Sequence, residues 1–129
     1  MKFTMPSTST IRIALVLAAW AAVPAHAATD CDNAMTQQAL NSCAAAAYHR
    51  EDARLNSLYK QLVALSDKLD SARLKQSQIA WLKFRDLHCD YEEKRYEGGS
   101  MAPLVKFNCL DNLTRQRNDT LQALIKDFQ

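Results

Sequence analysis

The stretch YHREDARLNSLYKQLVALSDKL, from Tyr48 to Leu69, decides the fold. Within it Tyr48, Glu51, Leu55, Leu58, Leu62, Leu65 and Leu69 recur in alternating steps of three and four. That spacing keeps side chains on one face of an α-helix and fits no strand. Upstream, Thr36 is positioned to cap the helix start. Downstream, the stretch Asp67–Ser71 offers a break, with Asp70 or Ser71 as a cap for a second helix. From Ala28 to Glu97 there is neither glycine nor proline, so nothing in between forces a tight reversal.

The second helix carries Leu74, Trp81, Phe84, Leu87 and Tyr91, expected to form one broad core-facing stripe. Gly98-Gly99 ends that run, because glycine accepts the left-handed conformation common just past a helix end. Ser100 is expected to cap a third helix with Pro103 in its first turn, where a missing N–H costs little. Leu104, Phe107, Leu110, Leu113, Leu121, Leu124 and Phe128 supply its apolar face. The fold class is therefore all-α, an antiparallel three-helix bundle with short connections. Helices of ~25–30 residues make a rod roughly 40 Å long at 1.5 Å per residue. Two glycines and three prolines in 129 residues are too few for a sandwich or barrel, and no glycine-rich phosphate loop is present.

The amino-terminal residues read as an export leader, 1–27, ahead of a single domain, 28–129. Lys2 and Arg12 precede an apolar run from Ile13 to Val23. At eleven residues, that run is far short of the ~20 needed to span a bilayer. Ala25-His26-Ala27 has the small-x-small pattern that places cleavage after Ala27. Ala28-Thr29-Asp30 before Cys31 is not a lipobox, so the expected location is periplasmic or secreted, without stable membrane insertion. Removing Lys2 and Arg12 leaves fourteen basic against fourteen acidic residues. A neutral domain exerts no general pull on nucleic acid or anionic lipid.

Cys31, Cys43, Cys89 and Cys109 all lie beyond the leader. An even count in a small exported domain reads as two disulfides. Three connectivities are possible. Cys31–Cys43 with Cys89–Cys109 is favoured, because each closes a short loop beside a helix end. No C-x-x-C pair exists for zinc, and no metal or other cofactor is expected.

Polar residues interrupt the apolar faces. Arg85 lies between Trp81 and His88, Arg117 between Leu113 and Leu121, and Glu51 and Asp52 sit at the head of the leucine seam. A buried guanidinium without partners costs several kcal/mol, so Asp52, Arg85 and Arg117 are expected in a polar network between helices. No catalytic constellation emerges. His88 and Cys89 are helix neighbours whose side chains diverge by about 100°. The carboxylates between Asp86 and Glu97 lie on a solvated helix end, and the common hydrolase and metalloprotease motifs are absent. The chain is not expected to be an enzyme.

Several residues in order carry a family likeness: Thr36-Gln37, Leu40-Asn41, Tyr48, Asp52, Leu55-Asn56 and Tyr59, then Gln78, Trp81, Phe84-Arg85-Asp86, Gly98-Gly99-Ser100, Pro103, Leu113-Thr114 and Arg117, with the four cysteines among them. Leu-Asn-x-x-Tyr, Gln-x-x-Trp-x-x-Phe-Arg-Asp and Gly-Gly-Ser are its most specific pieces. The chain resembles the LprI-like lysozyme-inhibitor family of bacterial envelopes over nearly all of the stretch from Cys31 to Leu121. It departs from that pattern at Ala39, where a glutamate often completes a capping box with Thr36, and in being expected to carry no lipid anchor. The resemblance implies inhibition of a c-type lysozyme by protein–protein binding, protecting the cell wall. The other reading is an envelope interaction or immunity module that leaves lysozyme alone. The expected contact is the turn Tyr96, Glu97, Gly98, Gly99 and Ser100, the one glycine-containing reversal, with Tyr96 as its anchor.

Overall fold

The computed structural model describes residues 31–129. The expected leader, 1–27, and its cleavage point lie outside them. Three helices follow one another: α1 from Gln37 to Leu65, α2 from Lys68 to Lys94 and α3 from Ala102 to Lys126. No strand occurs among the described residues. Cross-helix bonds fix the directions. Asp52 meets Arg85, and Gln78 meets Arg117, so α1/α2 and α2/α3 are antiparallel, whereas Asn41 with Ser100 and Glu51 with Asn118 make α1 and α3 parallel. The third helix packs closely along both others; α1 and α2 approach each other less closely.

Each boundary has a local cause. The Thr36 hydroxyl accepts from the backbone N–H of Ala39 at 3.1 Å and caps α1 as expected. The break before α2 falls at Ser66 and Asp67, both extended, and Asp67 caps α2 by accepting from Asp70 N–H at 2.8 Å. Neither Asp70 nor Ser71 is the cap; Ser71 instead donates to the carbonyls of Val63 and Ser66. Ser100 does not cap α3 either. Met101 precedes it in helical conformation with no side-chain cap, because the chain enters through a backbone bond from Ala102 N–H to the Gly99 carbonyl. Pro103 sits in the first turn as expected.

The apolar core gathers at the end where α1 turns into α2. Leu55, Leu58, Leu62, Leu121 and Ile125 are buried together, with Tyr59, Leu74, Trp81 and Leu82 against them. Each such burial stabilises by roughly 1.5–3 kcal/mol. The α1 seam ends earlier than its spacing implies: Leu65 and Leu69 are exposed, since the helix stops between them. Leu124 and Phe128 of α3 are exposed, and Ile125 takes the inward position.

The largest correction concerns α2. Leu74 and Trp81 face inward, but Phe84, Leu87 and Tyr91 are 54%, 60% and 67% exposed. The inward face in that half of the helix is Gln78, Arg85 and Cys89. Packed against a disulfide and a charged network, α2 turns its aromatic stripe outward.

Candidate functional site

At the opposite end from the leucine cluster, α2 unwinds through successive tight turns. Tyr96 N–H bonds the Glu93 carbonyl, Glu97 N–H that of Lys94, and Gly99 N–H that of Tyr96. Gly98 has φ of 79°, the left-handed region that a Cβ penalises. A side chain there would meet open space, whereas a Cβ on Gly99 would stand 3.1 Å from the Tyr96 carbonyl oxygen. All residues from Lys94 to Met101 are exposed, Tyr96 by 40%. Sequence reasoning therefore named a contiguous exposed knuckle.

The base of that knuckle is held from three directions. Cys89–Cys109 ties the last turns of α2 to the start of α3, and Cys31–Cys43 ties the entering chain to α1, the pairing expected from loop closure. Asn41 of α1 donates through its amide to the Ser100 carbonyl at 3.1 Å. Lys106 of α3 reaches Asp90 at 2.9 Å and Glu93 at 2.8 Å on α2. Its pKa is raised, first by the hydrogen bonds to Glu93 and Asp90. Glu97 is engaged by Lys94. A cavity of about 300 Å³ opens beside the turn between Asp90, Glu93, Lys94, Glu97, Gly98 and Ala102.

The polar network lies mid-bundle, away from the turn. Arg85 Nη1 donates to Asp52 at 3.0 Å and to the Thr114 hydroxyl at 3.4 Å, and its Nε donates to Asp86 at 2.9 Å. The guanidinium also lies over the rings of Trp81 and Tyr48, 5.3 and 5.5 Å from their centroids. Burial alone would lower its pKa; the hydrogen bonds to Asp86 and Asp52, with the nearby Tyr48 and the Asp86 charge, together outweigh burial and raise it. Arg117 is not in this direct set. It donates to Gln78 and Ser77, faces the same Trp81 ring at 5.7 Å, and its pKa is lowered by burial. The indole thus stands between the two cations.

Two members escaped sequence reasoning. Thr114 and Asn118 are fully buried on α3. The Asn118 amide donates to both the carbonyl and the carboxylate of Glu51, which also pairs with Arg115 at 3.1 Å. Their four-residue spacing on the inward side of α3, opposite Glu51 and Asp52, was the available signal. None of this geometry pairs a nucleophile with a base. Among the described residues no group of three or more His, Cys, Asp or Glu is placed to hold a metal ion, and no helix is long and apolar enough to cross a membrane.

A family model described as lysozyme inhibitor LprI matches residues 28–121. The chain belongs to the LprI lysozyme-inhibitor family. The matched stretch takes in both disulfides, the Arg85 network and the exposed turn of this LprI member. The chain is also 36% identical over 113 residues to an uncharacterized protein of Rhizobium meliloti (strain 1021), covering 78% of this chain and 81% of that protein. No solved structure matches it.

Proposed function

We propose that this LprI-family protein is a periplasmic or secreted inhibitor of a c-type lysozyme, that it acts by binding rather than by catalysis, and that the 96–100 turn enters the enzyme's cleft. Membership of an inhibitor family supports the activity. The observation that carries the placement is the combination of unbroken exposure from Lys94 to Met101 with a base locked by a disulfide, an inter-helix hydrogen bond and the Lys106 ion pairs. A protruding segment already ordered before contact loses little entropy on binding. Two disulfides fit an oxidising compartment.

The turn's chemistry suits a cleft lined by carboxylates. The glycines let the backbone approach closely, and Ser100 and Arg95 add a hydroxyl donor and a cation. Tyr96 offers a broad aromatic face at low conformational cost, the residue type that dominates protein–protein contacts.

The test is titration of the purified protein against c-type lysozyme in a cell-wall turbidity assay. Inhibition should saturate near equimolar ratio. Tyr96→Ala should weaken it by about 30-fold, the equivalent of ~2 kcal/mol at a contact centre, and Ser100→Ala by less, with helicity unchanged. No inhibition at high excess removes the activity. Full inhibition by both variants moves the contact elsewhere on the surface.

A further inference from the structure

The outer face of α2 is apolar, aromatic and uncovered. Ala80, Phe84, Leu87 and Tyr91 follow one another in steps of four, three and four, all exposed, while Gln78, Arg85 and Cys89 hold the inward side. His88 stacks on Phe84 with ring centroids 5.5 Å apart and widens the patch. A stripe with this spacing is the seam of a two-helix contact, yet α1 and α3 occupy the other side of the helix. No other described residue covers it.

The charges along α2 point to its partner. Its first part, 68–83, carries Lys68, Arg73, Lys75 and Lys83 against Asp70, while residues 86–94 carry four acids against Lys94. A second copy laid antiparallel brings each basic half against the other's acidic half; a parallel copy opposes like to like. The register is set by the stripe. Pairing Phe84 with Leu87 of the second copy also pairs Ala80 with Tyr91, and flanking this seam Lys83 of each copy falls opposite Asp90 of the other. Lys83 is exposed and has no ion-pair partner among the described residues, and Asp90 is exposed while spending one oxygen on Lys106. Both ion pairs of the symmetric contact are thus provided for.

We infer that α2 is a homodimerisation helix, pairing antiparallel with α2 of a second copy about a two-fold axis between Phe84 and Leu87. This leaves the 96–100 turn of each copy at opposite ends of the α2 pair, so dimerisation and the proposed lysozyme contact use different surfaces and are separately testable.

Sedimentation equilibrium of the purified protein from micromolar to about millimolar concentration reads the association directly. The expected result is a monomer–dimer equilibrium. Leu87→Lys should raise the dissociation constant at least tenfold, because it places a charge against Phe84 of the second copy beside the axis. Lys83→Glu and Asp90→Lys should each weaken the dimer at least tenfold, and the double variant should return it to within about threefold of the parent. That rescue does not depend on how well Leu87→Lys folds. A single monomeric species throughout, a dimer indifferent to Leu87→Lys, or failure of the charge swap to rescue each overturns the inference. So does a monomer in which Leu87→Lys abolishes lysozyme inhibition, since the face then belongs to the enzyme.

Discussion

Arg85 shows most about how single residues behave here. Its guanidinium is buried, and it uses two carboxylates, a hydroxyl and two aromatic faces. The partners are unequal. Asp86 is well exposed, whereas Asp52 is two-thirds shielded and is the partner that spans α1 and α2. Asp52→Ala should therefore destabilise by about 2–3 kcal/mol, because it leaves a buried cation short of an anion. Asp86→Ala should cost less than about 1 kcal/mol. Urea midpoints of the two variants give the order. Tyr48 adds a pH signature. Burial raises its pKa, with contributions from Asp52 and Asp86 opposing the Arg85 charge; the pKa of Lys106 is raised too. Raised folded-state values mean the stabilisation is whole below the unfolded values, about 10 for both groups, and disappears as pH climbs through the higher folded ones. Urea unfolding between pH 8 and 11.5 should show stability falling above about pH 10, less steeply in Tyr48→Phe.

At the scale of the element, the three helices differ in how openly they announce themselves. The α1 seam is a clean leucine ladder, and Leu55, Leu58 and Leu62 are buried where their spacing puts them. Helix α2 carries two stripes. The inward one runs through Gln78, Arg85 and Cys89, which look like surface until Arg117, Asp52 and Cys109 are brought to them from 39, 33 and 20 residues away. Its outward stripe is the more hydrophobic, so hydropathy alone points the helix the wrong way round. Nonlocal pairing likewise hides Thr114 and Asn118. The exposed turn, by contrast, was legible from two adjacent glycines. Gly98→Ala should cost about 1 kcal/mol, since the left-handed strain of 1–2 kcal/mol is partly offset by a stiffer unfolded chain. Thermal unfolding measures that cost, and the turbidity assay shows whether inhibition falls further than stability does.

Across the whole molecule, two kinds of cohesion occupy opposite ends. The leucine cluster sits where α1 meets α2, the charged network lies midway, and both disulfides sit with the turn. Each disulfide stabilises by about 3 kcal/mol through the loop it closes. Near the turn the buried apolar residues are few, chiefly Ala44, Ala102 and Leu110. Reduction should therefore not unfold the chain in one step. Amide hydrogen exchange on the reduced protein should quicken over residues 89–109 while Leu55–Leu62 and Asn118–Ile125 stay protected. Uniform acceleration would show instead that the two ends unfold as a unit.

The crowding of both disulfides at one pole has a temporal consequence. A newly made chain, still holding thiols, can consolidate its leucine pole at once, whereas the pole bearing the knuckle stiffens only after oxidation. The surface proposed to meet a target is thus the last to mature and the first to be surrendered, an order written by redox chemistry and not by position along the chain.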